Sequence, residues 1–163
     1  MPLPAPEASG EKACLSIRRA TEADLSRIVE LLSQLALGDD RDSLVEPLPA
    51  SYRAALHEIQ ADTRQQLQVA EARGRVVATA TLGIIPNLSY RGRPWAFVEG
   101  LVVDASRRRA GYGEALMRYA IEEARRAGCY KLSLTSNKRR SEAHRFYEKL
   151  GFAATHEGFR LLL

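Results

Sequence analysis

The chain has 163 residues, of which 45% are hydrophobic and 27% charged, and its formal net charge at pH 7 is +4. This length and balance predict one globular domain that buries a substantial core. The longest apolar runs fall well short of the roughly 18 residues that a membrane span needs, and the N-terminus lacks a secretory signal, so we expect a cytoplasmic protein with no membrane partner.

The first elements of the chain are predicted to be an arm, a strand and a helix. Residues 1–12 hold three prolines and little hydrophobic content, which predicts a flexible N-terminal arm, so the domain itself is expected over residues 13–163. From Leu15 onward apolar and polar residues alternate, which indicates a strand. Thr21 followed three residues later by Asp24 has the spacing of a capping box, and this predicts that a helix begins there.

The next segment predicts a second helix and a β-hairpin. Apolar residues around Leu56 recur at helical spacing, and a short strand is expected at 67–69. Arg73-Gly74 is the expected hairpin turn into a long β-branched strand at 76–85. The loop at 86–94 follows, and we expect it to lie beside the glycine-rich segment described below, where it would line a substrate mouth.

The C-terminal half predicts alternating strands and helices. We expect a strand over residues 95–103, a helix over 114–127 and a strand over 129–136. A helix over 143–150 and one or two closing strands over 152–163 follow. The element order predicts a single α/β domain with a mixed β-sheet flanked by helices. Its central strand-helix-strand unit is expected to be parallel, because such crossovers are almost always right-handed connections between parallel strands. Ligands bind such sheets at the carboxyl ends of the strands.

The segment from Arg107 to Gly113, which we call the clamp, lies where a predicted strand leads into a helix. Glycines let the backbone approach a ligand closely, and the first N–H groups of a helix have no intrahelical partner, so the clamp is expected to bind an anion. Basic residues concentrate here and at 138–140 without interleaved aromatic residues, which favours a compact phosphorylated molecule over nucleic acid. On charge alone, two solvated loops remain the simpler interpretation.

The clamp sequence Arg108-Arg109-Ala110-Gly111-Tyr112-Gly113 matches the acetyl-CoA signature of the GCN5-related N-acetyltransferase (GNAT) family. The chain resembles that family over nearly the whole domain, because a Val-Glu-Gly-Leu-Val-Val-Asp strand precedes the signature and Phe-Tyr-Glu-Lys-Leu-Gly-Phe follows it at 146–152. A dinucleotide-binding fold fits poorly because the Gly-x-Gly-x-x-Gly order is absent. A nucleoside triphosphatase loop would need Gly-Lys-Ser/Thr, which does not occur.

The resemblance implies a GNAT-like fold and acetyl-CoA as cosubstrate. Main-chain N–H groups of the clamp would hold the pyrophosphate, residues 101–103 would pair with the pantetheine arm like an added strand, and the two central parallel strands would splay apart. The expected cofactor-binding residues are Leu101, Val102, Val103, Arg108, Arg109, Ala110, Gly111, Tyr112, Gly113, Asn137, Arg140 and Tyr147.

The resemblance also implies two catalytic residues, Glu99 and Tyr147. An amine is mostly protonated at neutral pH and only its neutral form attacks a thioester, so Glu99 would act as the base, with a pKa raised by partial burial. Tyr147 would act as the acid that protonates the departing thiolate. The alternative for Glu99 is a strand carboxylate that faces solvent or pairs with an arginine. The alternative for Tyr147 is an aromatic residue of the core.

One position departs from the family pattern. Many relatives carry an asparagine three residues before the alanine of the last helix, and here that position is Arg140. Asn137 lies three residues earlier and could serve instead. This leaves Ser136, Asn137, Arg140 and Ser141 as candidates for the pantetheine-side contact. The three histidines, at 57, 144 and 156, are not grouped at metal-ligand spacing, so no metal is expected.

These features predict an acetyl-CoA-dependent N-acetyltransferase that transfers acetyl directly to a primary amine of a small molecule or peptide. The alternative is a nonenzymatic acyl-CoA-binding or sensor domain, which would tolerate the loss of Glu99 and Tyr147. Arginines around the variable segments suggest an acceptor with an anionic group, such as an amino acid, an aminophosphonate or an acidic peptide. A homodimer formed through the C-terminal strand or a sheet edge is a further expectation.

Overall fold

The computed structural model describes residues 14–35 and 45–161, so the arm predicted for residues 1–12 lies outside the described residues. The strands are β1 (Leu15–Arg19), β2 (Gln65–Ala72), β3 (Arg75–Ile85), β4 (Trp95–Val103) and β5 (Leu132–Leu134). The helices are α1 (Leu25–Ser33), α2 (Ala50–Ala61), the single turn α3 (Ser89–Gly92), α4 (Tyr112–Arg126) and α5 (Ser141–Lys149). Among these described helices, none is long and apolar enough to cross a membrane.

The strands form one sheet in the order β1-β2-β3-β4-β5. Neighbouring strands are antiparallel except β4 and β5, which are parallel and connected through α4. The prediction of an α/β domain with a mixed sheet and a parallel strand-helix-strand unit is therefore confirmed.

Helices cover both faces of the sheet. On one face, the apolar stripe of α4 packs on small and branched residues of β3 and β4; its buried members are Leu116, Met117, Ala120 and Ala124. On the other face, Ile28 and Leu31 of α1 pack with Val69, Val76 and Val102. The functional residues of β4 therefore lie on a strand held from both sides.

A β-bulge in β4 changes the face to which its side chains point. Two residues of β4, Gly100 and Leu101, lie opposite the single β3 residue Ala80. Gly100 has a φ of 64°, a left-handed conformation that glycine adopts at little cost. The extra residue reverses the strand alternation, so Val98 packs in the core beneath α4 whereas Val102 packs against α1.

β5 is shorter than predicted. The strand expected over 129–136 is reduced to three residues, and it pairs with β4 only along the stretch from Ala96 to Val98. Beyond Val98 the two parallel strands separate, while β4 continues for five more residues beside β3. A bulge increases the local twist and bend of its strand, which explains why β4 leaves β5 at this point.

The closing strands predicted for residues 152–163 are absent from the part that the structure describes, which runs to Leu161. Phe159 and Leu161 are 93% and 83% exposed, so the apolar side chains that suggested a strand do not cover a sheet. This prediction is wrong because a sequence pattern can indicate a strand without providing the neighbouring edge that a strand needs.

The loop at 86–94 does not lie beside the clamp. β4 spans nine residues, or about 26 Å, with the loop before Trp95 and the clamp after Val103. Within the loop, the Tyr90 ring stacks on the Tyr130 ring with centroids 3.9 Å apart, which holds it near the start of β5. The expected position was wrong because the strand between the two segments is nearly fully extended.

We predict that Gly100→Ala and Gly74→Ala each lower the free energy of unfolding by about 1 kcal/mol, because both replace a left-handed glycine. A Cβ at Gly100 would lie 3.4 Å from Leu32 Cδ2, an ordinary contact, and one at Gly74 would meet nothing within 4 Å. Only Gly100→Ala should also weaken coenzyme A binding, measured by calorimetry, since Gly74 lies in the β2–β3 turn. Equal affinities in the two variants would contradict a role of the bulge in the site.

Candidate functional site

The separation of β4 from β5 leaves one edge of β4 open. From Glu99 to Val103, β4 pairs with β3 on one side, and on the other side no strand of the described chain pairs with it. Main-chain N–H and C=O groups along this stretch can therefore accept an added extended segment. The splay implied by the family resemblance is present.

The clamp follows this open edge directly. A 3-10 turn at Ala105–Arg107 leads into Arg108, whose backbone is extended, and then into Arg109, which has a left-handed φ of 67°. Gly111 is also left-handed, with a φ of 87°, and forms the N-cap of α4 without a side-chain hydrogen bond to the helix. The first N–H groups of α4 are thus left for a ligand, and the positive end of the helix dipole favours an anion there.

Gly113 serves packing as well as ligand access. A Cβ at this position would lie 3.1 Å from Val103 Cγ2 and 3.7 Å from Phe146 Cζ. The first turn of α4 therefore lies close against the end of β4 and against α5, and a side chain would push them apart. This contact fixes the distance between the helix start and the open strand edge.

The arginines of the clamp point toward solvent. Arg108 and Arg109 are exposed, and the Arg109 guanidinium lies 3.5 Å from a carboxylate oxygen of Glu142 in the first turn of α5. An exposed pair of this kind contributes little to stability, so Arg109 can exchange Glu142 for a phosphate at low cost.

Tyr147 lies near enough to Glu99 and Arg140 for their charges to influence its hydroxyl. Tyr147 is 8% exposed, and its ring packs edge-on against Phe146 and Phe152. Burial raises the pKa of the Tyr147 hydroxyl above its ordinary value of 10, the nearby Arg140 guanidinium lowers it, and the charge of Glu99 raises it. The phenol therefore feels the charges of a carboxylate on β4 and of a guanidinium just before α5.

Glu99 is exposed, so the partial burial expected from the sequence is wrong. Strand alternation before the bulge places it on the same face as Trp95 and Phe97, opposite the buried Ala96 and Val98. The sequence expectation failed because successive side chains along a strand point to opposite faces of the sheet. Apolar residues next to Glu99 in the sequence therefore do not bury Glu99 itself.

A cavity of about 260 Å³ opens on the face that carries Glu99. Its lining includes Gly83 and Phe97 on the sheet and Asp62 and Arg64 before β2. The Phe97 ring lies over Gly83, where a Cβ would be only 2.1 Å from a ring carbon. Phe97 is two residues from Glu99, so the Cα atoms of the two residues lie about 7 Å apart along the strand.

The four candidates between β5 and α5 have different surroundings. Asn137 organises the turn: its Oδ1 accepts from Arg139 N at 2.9 Å and its carbonyl accepts from Arg140 N at 3.0 Å. Ser141 is an exposed first residue of α5. The Ser136 hydroxyl is buried and has no hydrogen-bond partner in the described chain, which singles it out as a group that could face a ligand.

One residue that shapes the site was not identified from the sequence. Asp104 is buried and its carboxylate accepts from Ser106 N at 2.9 Å and Ser106 Oγ at 2.7 Å, which sets the 3-10 turn before the clamp. The Asp-x-Ser spacing after a strand was the available signal, since such side chains hydrogen-bond the backbone two residues on.

Comparison with known proteins agrees with this geometry. The sequence model of the Acetyltransferase (GNAT) family matches residues 30–152. A glucosamine 6-phosphate N-acetyltransferase of Trypanosoma brucei brucei is 35% identical, with 90% of this chain and 95% of that protein covered. Glucosamine 6-phosphate N-acetyltransferase 1 of Oryza sativa subsp. japonica is 34% identical, with coverages of 89% and 85%.

Solved structures show the same fold. The crystal structure of a transcriptional regulator from Bacillus halodurans C-125 has a TM-score of 0.88 and 39% identity, with 91% of this chain and 99% of that one covered. A Trypanosoma brucei acetyltransferase has a TM-score of 0.75 and 35% identity over 91% and 99% of the two chains. The chain therefore belongs to the GNAT family and is an acetyl-CoA-dependent N-acetyltransferase.

Proposed function

We propose that the chain is a cytoplasmic enzyme in which Glu99 and Tyr147 promote direct transfer of acetyl from acetyl-CoA to the primary amine of a small molecule. The observation that carries this proposal is the open edge of β4, which has the clamp at one end and the residues Glu99 and Tyr147 beside it. An extended thioester bound along that edge would reach from an anion-binding helix start to a base and an acid.

The residues present fit acetyl-CoA. The edge at 101–103 offers main-chain groups to the amides of the pantetheine arm, and the start of α4 offers N–H groups to the pyrophosphate. Arg108 and Arg109 add positive charge beside that helix start. Ser136, Asn137 and Arg140 lie across the opening from β4 and are proposed to contact the pantetheine side.

The proton steps are assigned to two side chains. Bound acetyl-CoA supplies an activated carbonyl, which the amine nitrogen attacks as the new C–N bond forms and the C–S bond then breaks. Glu99 accepts the proton that the ammonium must lose, directly or through water. Tyr147 donates its phenol proton to the departing sulfur, and its raised pKa keeps that proton in place at neutral pH.

We predict that Tyr147→Phe lowers kcat by about 100-fold with little change in Tm, because the ring and its contacts with Phe146 and Phe152 remain. Turnover of the native enzyme at saturating substrates should be measured over a range of pH. Loss of the Tyr147 proton should not lower turnover below pH 10, because burial raises the pKa of that hydroxyl.

Glu99→Gln should lower kcat and change its pH dependence, whereas Glu122→Gln on α4 is a matched control that should keep the native profile, since Glu122 pairs with Arg125 at the surface. Stopped assays over a range of pH measure both effects. An unchanged profile in Glu99→Gln would remove it as the base, and undiminished turnover in folded Tyr147→Phe would remove it as the acid.

The acceptor is proposed to be a small primary amine that carries a phosphate, phosphonate or carboxylate. Two GNAT relatives described above are named for glucosamine 6-phosphate, an amine with a phosphate group. In this chain Arg64 lines the cavity on the Glu99 face, where Asp62 holds its Nε at 3.1 Å. An acceptor with its amine at Glu99 and its anionic end toward Arg64 would lie along Phe97.

A panel of matched amines tests this proposal through release of the coenzyme A thiol. We predict that glucosamine 6-phosphate and 2-aminoethylphosphonate have kcat/KM values at least about tenfold above glucosamine and ethanolamine, respectively, because a charge-assisted hydrogen bond contributes about 1.5–3 kcal/mol. Spermidine serves as the cationic control. A preference for spermidine or for the uncharged member of each pair would show that the acceptor class is wrong.

A homodimer is proposed to form through the C-terminal tail and the outer edge of β5. β5 is the last strand of the sheet, and Phe159 and Leu161 in the tail are almost fully exposed. A second copy would cover both. We expect light scattering to give the mass of two chains, and the mass of one chain after truncation at residue 156. A full-length monomer would contradict the proposal.

A further inference from the structure

Arg27 on α1 reaches the strand end that precedes the clamp. Its side chain is 14% exposed and donates from Nε to the Val76 carbonyl at 3.0 Å. Its Nη1 lies 2.6 Å from Glu30 Oε1, and its Nη2 forms an ion pair with Asp104 Oδ2. The Val76 carbonyl and the Asp104 carboxylate, on two other segments, thus accept hydrogen bonds that orient the guanidinium plane, while Glu30 on the same helix adds an ion pair.

Asp104 uses its two carboxylate oxygens for different purposes. Oδ2 pairs with Arg27, whereas Oδ1 accepts from the main chain and the hydroxyl of Ser106. The Asp104 carbonyl also accepts from Arg107 N at 2.8 Å, which closes the 3-10 turn onto the first residue of the clamp. Any shift of the carboxylate therefore moves the backbone that enters the clamp.

A second contact ties α1 to the same turn. Gln34, the residue that caps the C-terminus of α1, accepts from Ala105 N through its Oε1 at 2.9 Å. Arg27 and Gln34 lie seven residues apart on one helix, about two turns, and contact consecutive residues after β4. α1 consequently acts as a brace for the segment between the open edge and the clamp.

We propose that Arg27 is a positioning residue for donor binding: through Asp104, and together with Gln34, it holds the 3-10 turn that presents the clamp to the pyrophosphate of acetyl-CoA. This inference rests on the proposed function, because it assumes that the clamp binds that pyrophosphate. Arg27 also neutralises a buried carboxylate only three residues before the clamp. Without it, Asp104 would be left with the exposed Arg75 at 4.0 Å, and its less fully neutralised charge would oppose a bound anion.

The ionisation of Asp104 is consistent with this arrangement. Hydrogen bonds from Ser106 lower the pKa of Asp104 most, the Arg27 contact lowers it further, and the result is about 2 despite the opposing effect of burial. The carboxylate is therefore charged throughout the working pH range, so the ion pair is present whenever the enzyme binds its donor.

The chain contains a matched control for loss of a buried ion pair. Arg18 pairs with the buried Asp24 at 2.7 Å and with Glu71 at 2.7 Å. Hydrogen bonding from Arg18 lowers the pKa of Asp24 most, again to about 2. This second pair has the same chemistry and joins the start of the first helical segment to β1 and β2, but none of its contacts reaches the turn after β4.

The test compares Arg27→Met with Arg18→Met in the full chain. Both should lower Tm, since each removes the arginine that pairs most closely with a buried carboxylate. Only Arg27→Met should raise the KM for acetyl-CoA and the coenzyme A dissociation constant, by about tenfold or more, with kcat at saturating donor changed less than about threefold. Arg27→Lys should restore part of the affinity. A KM in Arg27→Met equal to that in Arg18→Met would overturn the proposal.

Gln34→Ala decides the matter if Arg27→Met fails to fold, because it removes the second brace contact without leaving a buried charge. A severalfold rise in the KM for acetyl-CoA at unchanged kcat supports the brace, and an unchanged KM overturns it. Coenzyme A binding by the native protein distinguishes failure of the two proposals. If the native protein shows no saturable coenzyme A binding, the proposed function fails. If it binds coenzyme A and the variants do not differ from one another, only the role of Arg27 is refuted.

Discussion

The open edge of β4 is the constraint on which the rest of the site depends. Backbone N–H and C=O groups must find partners, and a parallel neighbour would ordinarily satisfy them along the whole strand. Here the bulge at Gly100 turns β4 away from β5 after Val98, so the groups that follow are left to a ligand. The start of α4, the proposed acid Tyr147 and the proposed base Glu99 are all arranged around this stretch.

Close packing keeps the opening in place. Gly113 lets α4 lie against the end of β4 and against α5, while α1 braces the turn between the strand and the clamp through Arg27. In the proposed function two tasks are separate: the strand edge and the clamp are assigned to the donor, and the face of Glu99 and Phe97 is assigned to the acceptor. The two substrates can therefore be bound together, as direct transfer requires.

Much of the fold could be predicted from local sequence. The bounds of β4 were obtained to the residue because a run of apolar and β-branched residues ends at a charged turn. The short β5 and the missing closing strands could not be predicted, since they depend on which edge is available. Arg27 and Asp104 are 77 residues apart, so no local pattern joins them.

Amide hydrogen exchange with and without coenzyme A tests the central claim most directly, since it reports on individual backbone groups. If the open edge binds the donor, amides within residues 101–103 and 109–113 should exchange more slowly when coenzyme A is bound. Those of β1 should be unchanged. Saturable binding that protects other segments and leaves both of these stretches unaltered would contradict the account.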